Sequence, residues 1–260
     1  MKKILLALTA VAAMTGAASA ADLAAKPYVK APVPAPVANW TGFYIFGGGG
    51  GGLWAADQHV QTTGTNAALT VDQRQGGSGW FGTVGAGYDW QFSGTWVAGV
   101  FADGQFGSIK GTLQDPIAGW TGQVKMEDAW AVGVRLGWLA APNVLTYVNG
   151  GYSGSHWSGE TLLGTISGLP AGAHTNSFNR NGWFIGGGVE NSLNFFGITS
   201  PGWFMKTEYR VAQYGRATLA ETTLAGAANG TFNTFRPVEQ TISTSLVYRF
   251  NWGGPVVAKY

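Results

Sequence analysis

The sequence has no cysteine, few charged residues, and no mature segment apolar for the length of a membrane-spanning helix. Without cysteine there is no disulfide scaffold, no thiol nucleophile, no zinc–thiolate site and no lipid-modified N-terminal cysteine. Lysine, arginine, aspartate and glutamate make up 11% of the 260 residues, where soluble domains carry about 25%. The apolar share, 45%, is ordinary. A helical membrane protein needs about 18 or more consecutive apolar residues per span. In a bilayer without such helices, the remaining spanning structure is a closed β-barrel, because lipid cannot satisfy exposed backbone N–H and C=O groups.

The N-terminus reads as a secretion signal. Lys2 and Lys3 precede an uncharged apolar stretch from Ile4 to Ala13, and Ala18-Ser19-Ala20 is a small-x-small cleavage site. Residues 1–20 are therefore expected to be removed; the apolar run is too short to span a bilayer as an anchor. Thirteen basic and thirteen acidic residues then remain. A formally neutral chain without a basic run gives no reason to expect nucleic acid as a partner. Pro27, Pro32, Pro34 and Pro36, set among Ala and Val, make residues 21–39 an extended linker.

What is abundant is glycine (42) and tryptophan (12), distributed with period two. From Asp128 to Trp138 the even positions are Trp130, Val132, Val134, Leu136 and Trp138, and the odd ones Ala129, Ala131, Gly133, Arg135 and Gly137. An apolar face with Trp at both ends and a small, sparsely charged opposite face is the pattern of a barrel strand with interfacial girdles. The same alternation predicts strands at 80–91, 96–106, 144–153, 183–193, 203–214 and 241–250, with a weaker one at 40–53. The girdle residues are Trp80, Trp90, Trp96, Trp130, Trp138, Trp183, Trp203, Tyr248 and Phe250. Eight strands of about ten residues each match the length of a tilted transmembrane strand.

The connections sort by parity. Long polar stretches (54–78, 107–127, 154–181, 215–239) follow the odd strands, and short turns follow the even ones. Small outer-membrane barrels have long extracellular loops and short periplasmic turns. The expected fold is all-β: a closed eight-stranded antiparallel up-and-down transmembrane barrel over 40–250 with a tail at 251–260.

Trp40-Thr41-Gly42-Phe43-Tyr44, Gly85-Ala86-Gly87-Tyr88-Asp89-Trp90-Gln91, Gly186-Gly187-Gly188-Val189-Glu190, Lys206-Thr207-Glu208-Tyr209 and Val247-Tyr248-Arg249-Phe250 resemble the small outer-membrane barrels of alphaproteobacteria. These are porin-like surface proteins, loosely similar to the outer membrane protein A barrel, and the resemblance runs through nearly the whole mature chain. It implies an outer-membrane location, lipid contact, and barrel-assembly machinery during biogenesis. The roles it implies range from envelope integrity through loop-mediated adhesion to an unknown surface ligand to slow solute passage. Two departures stand out: Phe101 replaces an acid that relatives tend to place two residues before Asp103, and residues 251–260 extend past Phe250, leaving either Phe250 or Tyr260 as the assembly signal.

Alternation turns Asp89, Asp103, Arg135, Glu190, Lys206, Glu208, Arg210 and Arg249 inward. An eight-stranded barrel is just wide enough to be filled by its side chains, and enclosed charges must pair. A plug of paired charges is the expected reading; a narrow channel lined by charge is the alternative.

The run Gly47–Gly52 formally satisfies G-x-G-x-x-G, but no helical pattern follows it, so no dinucleotide site is expected. His59, His156 and His174 lie in predicted outer loops without ligand spacing. Ser155-His156 has no acid nearer than Glu160. Asn39-Trp40-Thr41 and Asn229-Gly230-Thr231 match a glycosylation pattern that a bacterial outer-membrane protein has little reason to use. No catalytic residue, metal or cofactor is expected.

Overall fold

The computed structural model describes residues 39–197, 200–223 and 225–250. The expected signal peptide, nearly all of the expected linker, and the tail with Tyr260 lie outside the described residues. The strands are β1 (Gly42–Thr62), β2 (Gln73–Phe92), β3 (Trp96–Asp115), β4 (Trp120–Ala141), β5 (Val144–Trp157), β6 (Glu160–Gly164), β7 (Pro170–Thr175), β8 (Phe178–Ser192), β9 (Trp203–Tyr214), β10 (Ala217–Thr223) and β11 (Ala228–Arg249). A single 3-10 turn, Leu193–Phe196, interrupts them among the described residues.

Strands β1-β2-β3-β4-β5-β8-β9-β11 form one antiparallel ring, closed by β11 pairing back onto β1 without a break from Tyr44 to Thr62. That is the eight-stranded barrel. Closure removes both sheet edges, so every spanning strand has a partner on each side.

Alternation sets the two faces. Ile45, Val84, Val100, Val132, Val134, Leu136, Val148, Ile185, Ile242 and Leu246 point outward and are exposed, with Trp80, Trp130 and Trp183 above them and Trp90, Trp96, Trp138, Trp203 and Phe250 below. Tyr248 packs against Trp203 and Phe250 in the lower belt. An apolar band between aromatic belts is the lipid-facing pattern of such barrels, about 25 Å tall in general.

Two turns at the lower end are short, while the connection from β8 to β9 is longer and carries the 3-10 turn Leu193–Phe196. Ser93 and Gly94 take left-handed backbone in the turn joining β2 to β3, and residues 142–143 join β4 to β5. The upper end differs from a set of plain loops. Most of each long polar stretch continues the ladder, leaving tips at 63–72, 116–119, 165–169 and 225–227 outside the strands. The reason is a second buried run: Trp54, Ala56, Ile109, Leu113, Val124, Met126, Trp157 and Leu219 all face the interior above the upper belt. A bulge at Glu127 shifts the register against β5, so the phase of β4 flips there and the inward set becomes Gly122, Val124 and Met126.

Three strands break on their way up. β6, β7 and β10 continue β5, β8 and β9 past interruptions at 158–159, 176–177 and 215–216, and pair as β4-β6-β7-β10-β11. The wall therefore stays eight strands round above the membrane.

The glycine run of β1 follows from close strand approach. A Cβ at Gly48 would lie 2.1 Å from the carbonyl oxygen of Thr244, and one at Gly50 equally close to that of Ile242. A Cβ at the outward-facing Gly47 would meet nothing nearer than 3.8 Å.

Candidate functional site

The lumen holds all eight of the expected inward charges, each buried to 7% exposure or less. They fall into two groups. The lower group is a ring of four: Asp89 on β2, Arg135 on β4, Glu190 on β8 and Arg249 on β11 occupy alternate strands of the barrel, so acid and base alternate around the circumference. Arg135 Nε donates to Asp89 Oδ1 at 2.9 Å, and its Nη2 makes a second, shorter bond to the same carboxylate. Arg135 Nη1 lies 3.0 Å from Glu190. Arg249 closes the ring, at 2.7 Å from Glu190 and 2.8 Å from Asp89. Each guanidinium bridges two carboxylates, a charge-assisted arrangement that its planar fork favours.

The upper group is a chain. Arg210 on β9 clasps Asp103 on β3 through two bonds of 3.1 and 2.9 Å and reaches Glu208 at 2.7 Å. Glu208 also accepts from Tyr147 Oη and Asn149 Nδ2, both at 2.8 Å, and Lys206 Nζ stands 3.8 Å away.

Aromatic rings fill the space around these charges. The Arg135 guanidinium sits 4.4 Å above the Tyr44 ring, Arg210 4.4 Å above Phe184, Arg249 4.5 Å above Trp40, and Lys206 Nζ 3.4 Å above Phe46. Each base thus has a carboxylate partner and a ring face, which stabilises a desolvated cation. Phe101, at the position where relatives tend to carry an acid, points inward under Arg210 at 5.7 Å. These aromatic partners were legible as the even positions of the weakly patterned first strand, Tyr44 and Phe46, yet the glycines after them hide the period.

Above the charges lies an apolar tier. Trp157 stacks flat on Phe178 with ring centres 5.9 Å apart, and meets Trp54 edge-on at 5.3 Å. Phe235 closes on Phe178. Higher still is an acidic mouth. Glu221 on β10 accepts from Asn233 at 2.8 Å and Thr231 at 2.9 Å, and Asp115 and Glu160 are buried beside it. Burial pushes the Glu160 carboxyl up to about 8, with the Glu221 charge adding to the rise. Burial likewise raises Glu221 to about 7, against the Thr231 hydrogen bond and with Asp115 adding to it.

The expected loop histidines have local contacts: His59 with Asp72, His156 with Asn179, and His174 with Thr222. Ser155 Oγ accepts from Trp157 and donates to the Arg180 carbonyl. Among the described residues no cluster of three or more His, Cys, Asp or Glu has metal-binding geometry.

No family model matches the chain. It is 26% identical over 255 residues to the 31 kDa outer-membrane immunogenic proteins of Brucella melitensis and Brucella suis, an alignment covering 96% of this chain and 100% of each relative. Among solved structures, the outer membrane protein OprG of Pseudomonas aeruginosa superposes with a TM-score of 0.56 at 11% identity, covering 81% of this chain and 98% of that one. The latter likeness speaks for the fold, and the former for the location. The protein is an outer-membrane β-barrel in contact with membrane lipid, similar over nearly its whole length to immunogenic outer-membrane proteins of alphaproteobacteria.

Proposed function

We propose that the protein is a closed surface barrel that reinforces the envelope and displays its upper strands and tips to partners, with a lumen plugged rather than open. The observation that carries this reading is the four-membered ring of Asp89, Arg135, Glu190 and Arg249. A pore lining presents its charges to water and to the passing ion; here each guanidinium of the ring is bonded to two carboxylates and covered by a ring face. An ion crossing the barrel would have to break that ring and then displace the apolar tier of Trp54, Trp157 and Phe178. On the same grounds we read the barrel as non-enzymatic, its ionisable lumen groups being engaged with each other. Partners in this reading are the assembly machinery during insertion and a surface ligand of the outer end.

The test is conductance. Refolded protein in a planar bilayer is expected to give a closed baseline with rare, irregular openings at most. A steady, reproducible open level in the wild-type protein overturns the plug and makes the same eight charges the wall of a channel.

A further inference from the structure

We propose that the β6–β7 hairpin is a flap in the wall of the upper lumen, held shut while Glu160 and Glu221, buried beside Asp115, are protonated, and released when these two carboxyls ionise. Its attachment is thin. On one side it pairs with β4 at Trp120–Gly164 and Thr121–Leu163, flanked by backbone bonds from Thr165 N–H to the Gly119 carbonyl and from Ser158 N–H to the Lys125 carbonyl, and on the other with β10 at His174–Thr222 and Ala173–Thr223. Between β4 and β6 the ladder stops at Met126–Trp157 and resumes at Thr121–Leu163. Between β7 and β10 it stops at Gly182–Tyr214 and resumes at Thr222. The flap joins the barrel through the breaks at 158–159 and 176–177.

The acids sit at these two seams. Glu160 opens β6 and lies over Gly122 of β4, where a Cβ would come within 2.2 Å of its Oε2. Its backbone N–H contacts the Thr175 hydroxyl of β7. Glu221 stands next to Thr222 at the other seam, and Asp115 faces it from the end of β3, where its Oδ1 caps the turn at Ile117 and Ala118. Glu160 Oε2, Asp115 Oδ2 and the amide oxygen of the nearby Gln58 have no hydrogen-bond partner among the described residues. His174 lies between the inward-facing Ala173 and Thr175 of β7 and so turns to the outer face, where it bonds to Thr222. On β4, Lys125 and Glu127 bond to each other at 3.1 Å while partly exposed. Among the described residues the buried bases are Arg135, Lys206, Arg210 and Arg249, all in the two charge groups below the apolar tier. Three buried carboxyls thus share a chamber without a cation.

Neutral carboxyls can share protons there; ionised ones repel in a poorly solvated space. An acid held near 8 when buried, and near 4.5 when hydrated, is protonated in the closed form across that window. The closed form binds more protons, so its advantage is complete at low pH and falls by up to about tenfold for each unit between about 5 and 8. Opening would uncover Leu162 and Ala173, both on the buried inner face of the flap, and then the apolar tier.

The chain has no native cysteine, so spin labels can be placed at Ile117→Cys and Ile166→Cys, exposed tips on either side of the β4–β6 seam. In refolded protein the inter-label distance is expected to be short and narrow at pH 5, and longer and broader at pH 9, with the spectrum of the membrane-embedded barrel unchanged. Glu160→Gln should keep the narrow distance at both pH values; Glu221→Gln serves the same purpose if that variant does not refold. A distance independent of pH in the parent, or a pH response that survives both substitutions, overturns the flap.

Discussion

Arg210 and Asp103 stand four strands apart on the eight-stranded ring, facing each other across the full width of the lumen, and are joined by two hydrogen bonds. The pair is a strut between opposite walls. Removing Arg210 strands Asp103 without water, and removing Asp103 leaves Arg210 with Glu208 alone; breaking a buried pair costs about 3–5 kcal/mol. Arg210→Met should lower the unfolding free energy of the refolded barrel by an amount in that range and Asp103→Ala by less, each read as a lower denaturant midpoint. The double variant should lose less than the two single losses added together, because the stranded partner is gone. Strict additivity would show that the two groups do not depend on each other.

The strut and the ring below it were legible in the sequence because alternation assigns each charge a face. Legibility failed where the phase breaks. The bulge at Glu127 inverts β4, so Val124 and Met126 looked like polar-loop residues. The acidic mouth draws Asp115, Glu160 and Glu221 from three different connections, and only ring closure brings them together. The ring-face partners Tyr44 and Phe46 precede a run of glycines with no side-chain period to read.

That glycine run makes a sharp contrast between neighbours. Gly48→Ala drives a methyl group into the Thr244 carbonyl at the seam that closes the barrel, while Gly47→Ala points into lipid with open space around it. Overpacking of this kind costs about 1–3 kcal/mol or more. Gly48→Ala should reduce the yield of heat-modifiable, folded barrel on a gel, and Gly47→Ala should leave it unchanged. Equal yields would place the close approach elsewhere.

Depth along one strand supplies a second contrast. Val134 and Gln123 both point outward from β4, but Val134 lies between the two aromatic belts and Gln123 above them. Arginine at mid-membrane costs about 2–4 kcal/mol in barrels of this kind and little beyond the interface. Val134→Arg should therefore lower folding stability in lipid vesicles by that amount, with Gln123→Arg close to the parent. Similar losses at both would put the membrane boundary higher than the Trp80–Trp130–Trp183 belt.

Cleavage on intact cells tests the orientation together with the ladder extensions. Added protease is expected to cut in the tips 63–72 or 165–169, since the flanking residues are held in strand. Sites at Ser93–Gly94, in the short turn of the opposite end, should be protected until the cells are broken. Mass spectrometry of the released fragments distinguishes the two ends directly, and cutting confined to Ser93–Gly94 would invert the barrel in the membrane.

The lumen is closed twice, and the two closures use different physics. The charged tier depends on mutual neutralisation; the tier above it depends on the fit of Trp157 between Phe178 and Trp54. Trp157→Ala removes a fully buried ring and should cost about 3–5 kcal/mol, but the ring of Asp89, Arg135, Glu190 and Arg249 remains below it. Conductance should stay near zero in that variant. Arg135→Ala breaks the ring and leaves Asp89 and Glu190 each with Arg249 alone, under an intact apolar tier, and should also conduct little. Combining Trp157→Ala with Arg135→Ala removes one member from each closure along a single axis. If two barriers in series keep the barrel shut, this double variant should be the one that passes ions, with a cation preference set by the surplus carboxylate. Conduction by Trp157→Ala alone would mean that the charged ring is permeable and that the apolar tier is the sole gate.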